Sequence, residues 1–348
     1  MQALRVIGGL FAIALLASAL VRYRRHQISR LNVIITWLIG LGITLLAARP
    51  SIFNGVFDTF NFRPGNGRRL IAVLLVAVVI LFILLIRNSY AEDATSRGLR
   101  LLVESLGQQA FDWKQAELLS PGERIIVVSP AYNEAENVGG VIRAMPEEVE
   151  GYRVVTVVID DGSEDETASV ARSCGGLVAT LPIRRGGGLA LRVGYEVALK
   201  LGADIVVSID ADGQHLPEEL PVLIKPIVAD EADMVNGSRL LGDFERESLI
   251  RHVGVHFFSG LVSLMTGQRV TDISSGYRAT RSSTLKKLVL EQDQFWTSEV
   301  LIEALRQHAR IKEVPITIRA RRGGKSKKPK SLKYGWHFTK AIIQTWLR

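Results

Sequence analysis

At 348 residues the chain is longer than one ordinary domain, and its formal net charge of +8 is spread unevenly. Residues 1–86 contain nine arginines and one aspartate, residues 87–318 contain 24 basic and 34 acidic residues, and residues 319–348 contain ten basic residues and no acid. The acidic middle lacks the basic folded face of a nucleic-acid-binding domain, and the single cysteine, Cys174, excludes an intrachain disulfide, so we expect neither a nucleic-acid partner nor a disulfide framework.

Three uncharged apolar runs lie near the start of the chain, at 6–21, 31–48 and 70–86. Each has 16 to 18 residues, which is close to the minimum for crossing a hydrocarbon core of ~30 Å. Buried core helices are the alternative, but a soluble core would have to cover three helices that are apolar all round. Four arginines directly follow the first run, and basic loops tend to stay in the cytoplasm. We therefore predict three transmembrane helices in a membrane domain at 1–87, and an integral protein of the cell membrane whose catalytic domain is cytoplasmic.

The next segment, 88–121, has Leu99, Leu102, Val103 and Leu106 at helical spacing, which predicts a connecting amphipathic helix. After it, short β-branched runs alternate with helical stretches as far as residue 330. This alternation is typical of an α/β domain with a mostly parallel sheet. The basic stretch at 331–348 contains regularly spaced apolar residues and predicts an interfacial amphipathic helix on membrane lipids.

Acidic loops follow two of the predicted strands. The strands are predicted at 125–129, 154–159, 178–181 and 205–209. Asp160-Asp161-Gly162-Ser163 follows the second strand, and Asp210-Ala211-Asp212-Gly213-Gln214-His215 follows the fourth. Ligands of open α/β sheets bind beyond the carboxyl ends of the strands, and clustered carboxylates there indicate a cation or several hydroxyl donors as the partner. Ser163 and Glu166 also have the spacing of a capping box, which predicts that a helix starts at Ser163.

The Asp210–Gln214 loop has the residues of a cation site. Two aspartates at i and i+2 on a tight turn can direct both carboxylates to one point, and Gln214 adds an amide oxygen. A divalent ion that bridges a nucleotide diphosphate needs only one or two such protein ligands, because phosphates and water supply the others. We therefore expect metal and nucleotide to bind together.

Five motifs follow one another along this domain: Pro130-Ala131-Tyr132-Asn133-Glu134, Asp160-Asp161-Gly162-Ser163, Asp210-Ala211-Asp212-Gly213-Gln214-His215, Asn236-Gly237-Ser238-Arg239 and Ser275-Gly276-Tyr277-Arg278. The ordered set resembles family 2 glycosyltransferases of the GT-A fold, especially the dolichyl- or polyprenyl-phosphate mannose and glucose synthases. Glu313-Val314-Pro315-Ile316 and the later Arg321, Gly324, Ser326 and Lys327 continue the resemblance, which covers residues 122–330. The first 87 residues resemble a small three-helix membrane domain found with such enzymes.

The resemblance implies a nucleotide-sugar site whose pocket for the nucleoside is lined by Pro130, Tyr132 and Glu134. It places Ile159 and Asp161 against the base and ribose. It places Asp210 and Ala211 near the diphosphate, and it assigns Mg²⁺ or Mn²⁺ to Asp212 and Gln214.

For the phosphate groups, the resemblance implies contacts from Arg239, Arg321 and Lys327, with Arg251 on the acceptor phosphate. Asp212, Arg239 and Arg321 would be the catalytic residues. One departure is the Arg185–Gly188 loop, because a lysine or asparagine is typical near these glycines.

The function implied by the resemblance agrees with simple chemistry. An acceptor phosphate monoester, whose second pKa is about 6, is mostly dianionic at neutral pH and needs no general base. Metal and basic side chains must instead offset its repulsion from the nucleotide diphosphate, and eight of the fifteen residues at 319–333 are basic. We therefore expect an inverting, metal-dependent transfer of mannose or glucose from GDP-mannose or UDP-glucose to a polyprenyl or dolichyl phosphate at the cytoplasmic membrane face.

Two alternatives remain open at this point. Transfer to a hydroxyl of a lipid-linked glycan would need a carboxylate base near Asp272 or beyond, although the Gln-x-x-Arg-Trp motif of processive enzymes is absent. A non-catalytic membrane scaffold with a degenerate transferase domain is the second alternative. The presence of Asp210, Asp212, Gln214 and Arg239 argues against that scaffold.

Overall fold

The structure is a computed structural model that describes residues 10, 13–14, 16–21, 30–48, 68–119, 122–243, 249–320 and 332–347. The chain divides into two compact units, Met1–Ala94 and Thr95–Arg348. The predicted division at 1–87, 88–121, 122–330 and 331–348 stays a prediction.

The second and third apolar runs each lie within a long helix. Helix α1 (Arg30–Ala48) contains the run at 31–48, and helix α2 (Arg68–Gln109) begins with the run at 70–86. Of the run at 6–21, the structure describes residues 10, 13–14 and 16–21, which are helical. Because residues 87–97 contain neither glycine nor proline, α2 continues without a break past the predicted boundary at residue 87.

The three predicted membrane spans are not confirmed. Within the part of the chain that the structure describes, no helix has both the length and the apolar character required to cross a membrane. The spans and the membrane location therefore stay predictions.

The second unit contains an eight-stranded mixed sheet flanked by helices. The strands are β1 (Arg124–Ala131), β2 (Glu148–Val149), β3 (Tyr152–Asp160), β4 (Leu177–Thr180), β5 (Ile205–Ser208), β6 (Met234–Ser238), β7 (Arg278–Arg281) and β8 (Ile311–Pro315). The helices are α3 (Trp113–Ala116), α4 (Ala135–Arg143), α5 (Thr167–Ser173), α6 (Gly187–Lys200), α7 (Leu220–Val228), α8 (Leu249–Thr266), α9 (Ser282–Leu285), α10 (Trp296–Arg306) and α11 (Leu332–Leu347). The four predicted strands coincide with β1, β3, β4 and β5.

The strand order brings the acidic loops to one edge of the sheet. The order is β2-β3-β1-β5-β7-β6-β8, and β4 also pairs with β3. β1 is parallel to β3 and β5, and β6 is parallel to β8, whereas β7 is antiparallel to both β5 and β6. Consequently β1, β3, β5, β6 and β8 all end at the same edge, called the carboxyl edge below, and the loop before the reversed strand β7 lies there too.

The core explains why β1 reads as a continuous apolar run. Ile126 and Val128 belong to the apolar cluster that contains α6 and α10, and Ile125 and Val127 belong to the cluster that contains α7. All four side chains are completely buried. Because alternate residues of a strand face opposite sides, β1 is covered by helices on both faces, as expected for a central strand of an α/β sheet.

The predicted capping box is wrong. Helix α5 begins at Thr167, its N-cap residue is Glu166, and no side chain caps it. The Ser163 hydroxyl instead accepts the backbone N–H of Asn133 at 2.9 Å. This tertiary contact replaces the local cap, because the hydroxyl joins two loops at the carboxyl edge.

Helix α11 confirms that the predicted C-terminal segment is helical. Its Phe338 packs against Phe258 with ring centroids 4.6 Å apart, and Ile342 is completely buried. Trp336, by contrast, is 70% exposed. One face therefore packs on protein, and the predicted interfacial role concerns the opposite face and stays a prediction.

Candidate active site

The loops after β1 and β3 are joined by hydrogen bonds. Asn133 adopts a left-handed conformation with φ 49°, and its side-chain oxygen accepts the backbone N–H of Glu164 at 2.8 Å. The backbone N–H of Glu134 donates to the Thr167 hydroxyl at 2.8 Å. The predicted nucleoside residues of the β1 loop are therefore held against the β3 loop and the first turn of α5.

The Asp161 carboxylate is held by two backbone hydrogen bonds. Its two oxygens accept the backbone N–H groups of Arg185 and Gly186, each at 2.8 Å. Its side chain is almost fully buried, and this burial raises the pKa of Asp161, although the two N–H groups oppose the shift. The carboxylate thus holds the glycine-containing loop after β4 in place.

One side chain near this loop, that of Arg184, belongs to none of the motifs in the sequence. The Arg184 guanidinium lies 4.0 Å from the centroid of the Tyr132 ring, a cation–π contact. Pro130 is half-buried and pairs with Ile159 in the β1–β3 register. The Ile159 side chain itself is completely buried in the core, so a base could contact only the backbone of this residue.

The second acidic loop follows β5 at the centre of the carboxyl edge. The Asp212 carboxylate accepts the backbone N–H of Gln214 at 3.1 Å, which closes the turn. A Cβ on Gly276 would lie 2.9 Å from the Asp210 carboxylate, so the missing side chain of Gly276 is what makes room for Asp210. The Gly276 carbonyl in turn accepts the Ser208 hydroxyl at 2.9 Å.

These residues fit a cation that binds together with a nucleotide. Among the described residues no group of three or more His, Cys, Asp or Glu side chains could hold a metal ion alone. The hard oxygens of Asp210, Asp212 and Gln214 are nevertheless the one or two carboxylates and the neutral ligand that a phosphate-bound Mg²⁺ takes from a protein. Gln214 donates its amide nitrogen to the Arg319 carbonyl at 3.2 Å, so the amide oxygen is the end able to act as ligand.

Arg239 is held by a buried carboxylate. Its Nε donates to Asp272 Oδ2 at 2.6 Å, and its Nη2 donates to the Ser274 hydroxyl at 3.1 Å. Asp272 is 0% exposed, and its other oxygen accepts the backbone N–H and the hydroxyl of Ser274. Both carboxylate oxygens are therefore occupied, and the guanidinium is fixed in orientation.

A second buried network supports this pair. Glu313 accepts the backbone N–H groups of Thr271 and Asp272, and it also accepts the Asn236 amide at 3.0 Å. The Arg278 guanidinium donates to the side-chain oxygen of Asn236, and burial lowers the pKa of Arg278 to about 10. The motif residues Asn236 and Arg278 are therefore buried and support the site through hydrogen bonds to its neighbouring residues.

The segment after β8 reaches the central acidic loop. The Arg319 backbone N–H donates to the Gln214 carbonyl at 2.9 Å, and the Ile318 N–H donates to the Asp243 carbonyl at 2.9 Å. The predicted phosphate ligands Arg321 and Lys327 lie outside the described residues, as does the side chain of Arg251. The basic stretch that contains the first two therefore starts beside Asp210 and Asp212.

The carboxyl edge thus brings together most of the predicted site. Pro130, Tyr132, Glu134 and Asp161 lie at the ends of β1 and β3, Asp210 to Gln214 follow the adjacent β5, and Arg239 follows β6. Neighbouring strands lie about 4.8 Å apart, so β5 and β6, separated by β7, are about 10 Å apart. The roles given to these residues stay predictions.

Comparison with known proteins agrees with this arrangement. The model of the family described as glycosyl transferase family 2 matches residues 126–289. The chain is 33% identical to the UDP-N-acetylglucosamine–dolichyl-phosphate N-acetylglucosaminyltransferase of Methanococcus voltae, over 55% of this chain and 84% of that relative. It is 32% identical to the polyprenol monophosphomannose synthase of Mycolicibacterium smegmatis, over 60% of this chain and 82% of that relative.

A solved structure shares the fold of the second unit. Glucosyl-3-phosphoglycerate synthase from Mycobacterium tuberculosis, crystallised with Mn²⁺ and UDP-glucose, superposes with a TM-score of 0.52 at 25% identity, covering 65% of this chain and 78% of the synthase. This likeness confirms the predicted α/β fold of the GT-A type. Since relatives above 30% identity are matched over more than four fifths of their length, the chain belongs to glycosyl transferase family 2 and is a glycosyltransferase.

Proposed function

We propose that this enzyme transfers a hexose, mannose or glucose, from GDP-mannose or UDP-glucose to a polyprenyl or dolichyl phosphate. The names of the two relatives support a lipid phosphate as the acceptor. The acidic loop after β5, next to the start of a basic segment, supports a nucleotide diphosphate and a second phosphate as ligands.

The observation that carries the proposal is the burial of Asp272. A hydroxyl acceptor needs a base, and Asp272 is the carboxylate near which that base was expected. Both of its oxygens accept hydrogen bonds, and its partner Arg239 has a charge suited to a phosphate. This arrangement favours an acceptor that is already ionised over one that must lose a proton.

The reaction then requires little acid–base chemistry from the chain. An oxygen of the acceptor phosphate attacks the anomeric carbon while the bond from that carbon to the nucleotide diphosphate breaks, and a single displacement inverts the anomeric centre. Asp161 orders the nucleoside side of the site, and Arg239, held by Asp272, offsets negative charge between the two phosphate groups. A divalent cation bound with the donor at Asp212 and Gln214 would stabilise the leaving diphosphate.

The membrane location belongs to the same proposal and rests on the sequence. We propose that residues 1–87 attach the enzyme to the membrane that contains its acceptor, with the second unit in the cytoplasm. The attachment is tested by recovery of the protein in a carbonate-washed membrane fraction. The orientation is tested by adding protease to intact cells, where the second unit should be cleaved only after the membrane is opened. Release of the protein by carbonate would contradict this part.

The transfer itself is tested with purified full-length enzyme in detergent. Labelled GDP-mannose and UDP-glucose are each offered with a polyprenyl phosphate and Mg²⁺, and the organic-extractable product is counted. We expect product from one donor, its loss on chelation of the metal, and at least a ~100-fold lower rate for Asp212→Ala because the leaving phosphate is no longer stabilised. The anomeric configuration of the product tests inversion.

Asp233→Ala is the control, because Asp233 lies at the opposite end of β6 and pairs with Arg310 at 2.9 Å. This variant should transfer sugar like the wild type. Product formed only with a glycolipid hydroxyl acceptor would contradict the proposal and favour the alternative with a base.

A further inference from the structure

The loop that precedes α10 packs directly against the loop that Asp161 holds. Residues 184–188 are called the glycine loop here. The backbone N–H of Gly188 donates to the Asp293 carbonyl at 2.9 Å. A Cβ would lie 2.6 Å from that carbonyl if added to Gly186, and 2.1 Å from the Gln292 carbonyl if added to Gly188. The glycines are therefore required for two backbones to touch.

The carboxylate of Asp293 joins three arginines from two other parts of the chain. It accepts Arg192 Nη2 at 2.7 Å and Arg185 Nη2 at 3.0 Å, and Arg100 Nε lies 3.4 Å away. Glu104 accepts Arg192 Nε at 2.7 Å. These five residues form the Asp293 cluster, in which two carboxylates face three guanidinium groups and Asp293 lies within ion-pair distance of all three.

Asp293 is itself fixed from the other side. The buried carboxylate of Glu299, on α10, accepts the backbone N–H of Glu291 at 2.8 Å and that of Gln292 at 3.0 Å. The Arg192 Nη1 also donates to the Gln292 carbonyl at 2.8 Å. The Asp293 side chain is only 20% exposed, so its charged hydrogen bonds are weakly screened by solvent.

The glycine loop is thus held by hydrogen bonds from two carboxylate-containing segments. Asp161 accepts the backbone N–H groups of Arg185 and Gly186, while Asp293 binds the Arg185 side chain and the Gly188 backbone. Among the described residues the buried Nε of Arg185 has no hydrogen-bond partner. The Asp293 carboxylate thus holds the Arg185 guanidinium through its Nη2.

We propose that Asp293 is a positioning residue for the nucleotide-sugar donor: by binding Arg185 and the glycine loop, it fixes the wall of the nucleoside pocket around Asp161. The inference rests on the proposed donor site. Without the Asp293 charge, three guanidinium groups would share only Glu104, and their repulsion would move the loop from Asp161. Donor affinity should then fall more than the rate of the chemical step.

The experiment measures binding of GDP and of UDP, each with Mg²⁺, to the full-length protein by calorimetry. Asp293→Asn should raise the Kd of the preferred nucleotide on the order of tenfold, since a hydrogen-bonded charge is lost. In transfer assays the KM for the donor should rise by a similar factor while kcat changes less. Asp293→Glu keeps the charge and should have an intermediate Kd, and it serves as the test variant if Asp293→Asn does not fold.

Asp233→Asn is the matched control. Asp233 is 23% exposed and, like Asp293, binds more than one arginine, but it lies at the amino end of β6, away from the carboxyl edge. It should lower the melting temperature without changing the Kd. Wild-type affinity in Asp293→Asn, or an equal loss in Asp233→Asn, would overturn the inference and leave the proposed function intact. Failure of the wild type to bind either nucleotide would overturn both.

Discussion

The two acidic loops hold their carboxylates in different ways at the scale of single residues. Asp161 lies among protein groups, with both oxygens occupied by backbone N–H donors, and burial raises its pKa. Asp210 is 30% exposed and lies where a side chain on Gly276 would otherwise be. The first carboxylate is suited to ordering a loop, and the second is accessible to a ligand.

The raised pKa of Asp161 predicts a pH dependence of nucleotide binding. As the pH falls from 7 towards the ordinary pKa range of aspartate, Asp161 should be protonated before an exposed aspartate. The protonated oxygen can no longer accept its hydrogen bond from the backbone N–H, so the Kd for the nucleotide should increase. Because the folded-state pKa lies above the unfolded one, protonation of this group favours the folded state, and its contribution to the free energy of unfolding decreases only as pH rises through the raised pKa.

Calorimetric titration with GDP or UDP between pH 7 and pH 4.5 measures this effect. Asp161→Asn should bind weakly throughout and lack the added pH dependence, which separates it from titration of the nucleotide phosphate near pH 6. The same pH profile in both proteins would contradict the prediction.

Gly276 allows a second test at this scale. Gly276→Ala would place a methyl group 2.9 Å from the Asp210 carboxylate, and we expect it to displace that side chain. Metal-dependent nucleotide affinity should fall on the order of tenfold while the protein still folds, as measured by calorimetry and circular dichroism. Gly260→Ala, where nothing lies within 4 Å, should bind like the wild type. Equal affinities of the two variants would contradict a role for the Gly276 gap.

At the scale of elements, the close packing of α6 on the central strand β1 leaves no room for a larger side chain at the contact. A Cβ on Gly194 of α6 would lie 2.2 Å from Cγ1 of Val128 on β1, and both residues are buried. Alanine is more favourable than glycine in the middle of a helix, so the glycine at this position is explained by the close approach of α6 to the sheet.

Gly194→Ala should therefore lower the free energy of unfolding by about 1–3 kcal/mol, the usual cost of overpacking a core. Urea unfolding followed by circular dichroism measures it. Gly140→Ala on α4 has open space around the new methyl group and should be neutral or stabilise by up to about 1 kcal/mol. A stabilising Gly194→Ala would show that α6 can move away from β1.

For the whole molecule, the buried apolar clusters lie in the second of the two units. The fully buried residues of the three apolar clusters all lie between Val103 and Ile342, within the second unit. The carboxyl edge and the Asp293 cluster lie in that unit as well. Among the described residues, the second unit therefore has an apolar core of its own.

A fragment of residues 95–348 should therefore fold by itself. We expect cooperative thermal unfolding and the nucleotide affinity of the full chain, because the fragment keeps Arg100, Glu104 and the whole carboxyl edge. Circular dichroism and calorimetry test both points. A fragment that is unfolded, or folded without nucleotide binding, would contradict the prediction.

Features that depend on local pattern can be predicted from the sequence alone. The strands β1, β3, β4 and β5 follow from short β-branched runs, and Asp161, Asp210 and Asp212 follow strand ends because parallel strands deliver their loops to one edge. Ordered motifs were sufficient to identify the family. Local pattern also misled, since the Ser163 hydroxyl is used by Asn133 and α5 begins later.

The contacts that hold the site join residues far apart in the chain. The reversed direction of β7 places Gly276 against Asp210, and Asp272 binds Arg239 from 33 residues away. Asp293 binds Arg185 across 108 residues of chain. Such contacts leave no periodic trace in the sequence, because a charged side chain looks the same whether its partner is water or a buried arginine. Which carboxylates remain accessible to a ligand and which hold other side chains in place depends on burial and hydrogen bonding, and these exist only after the chain has folded.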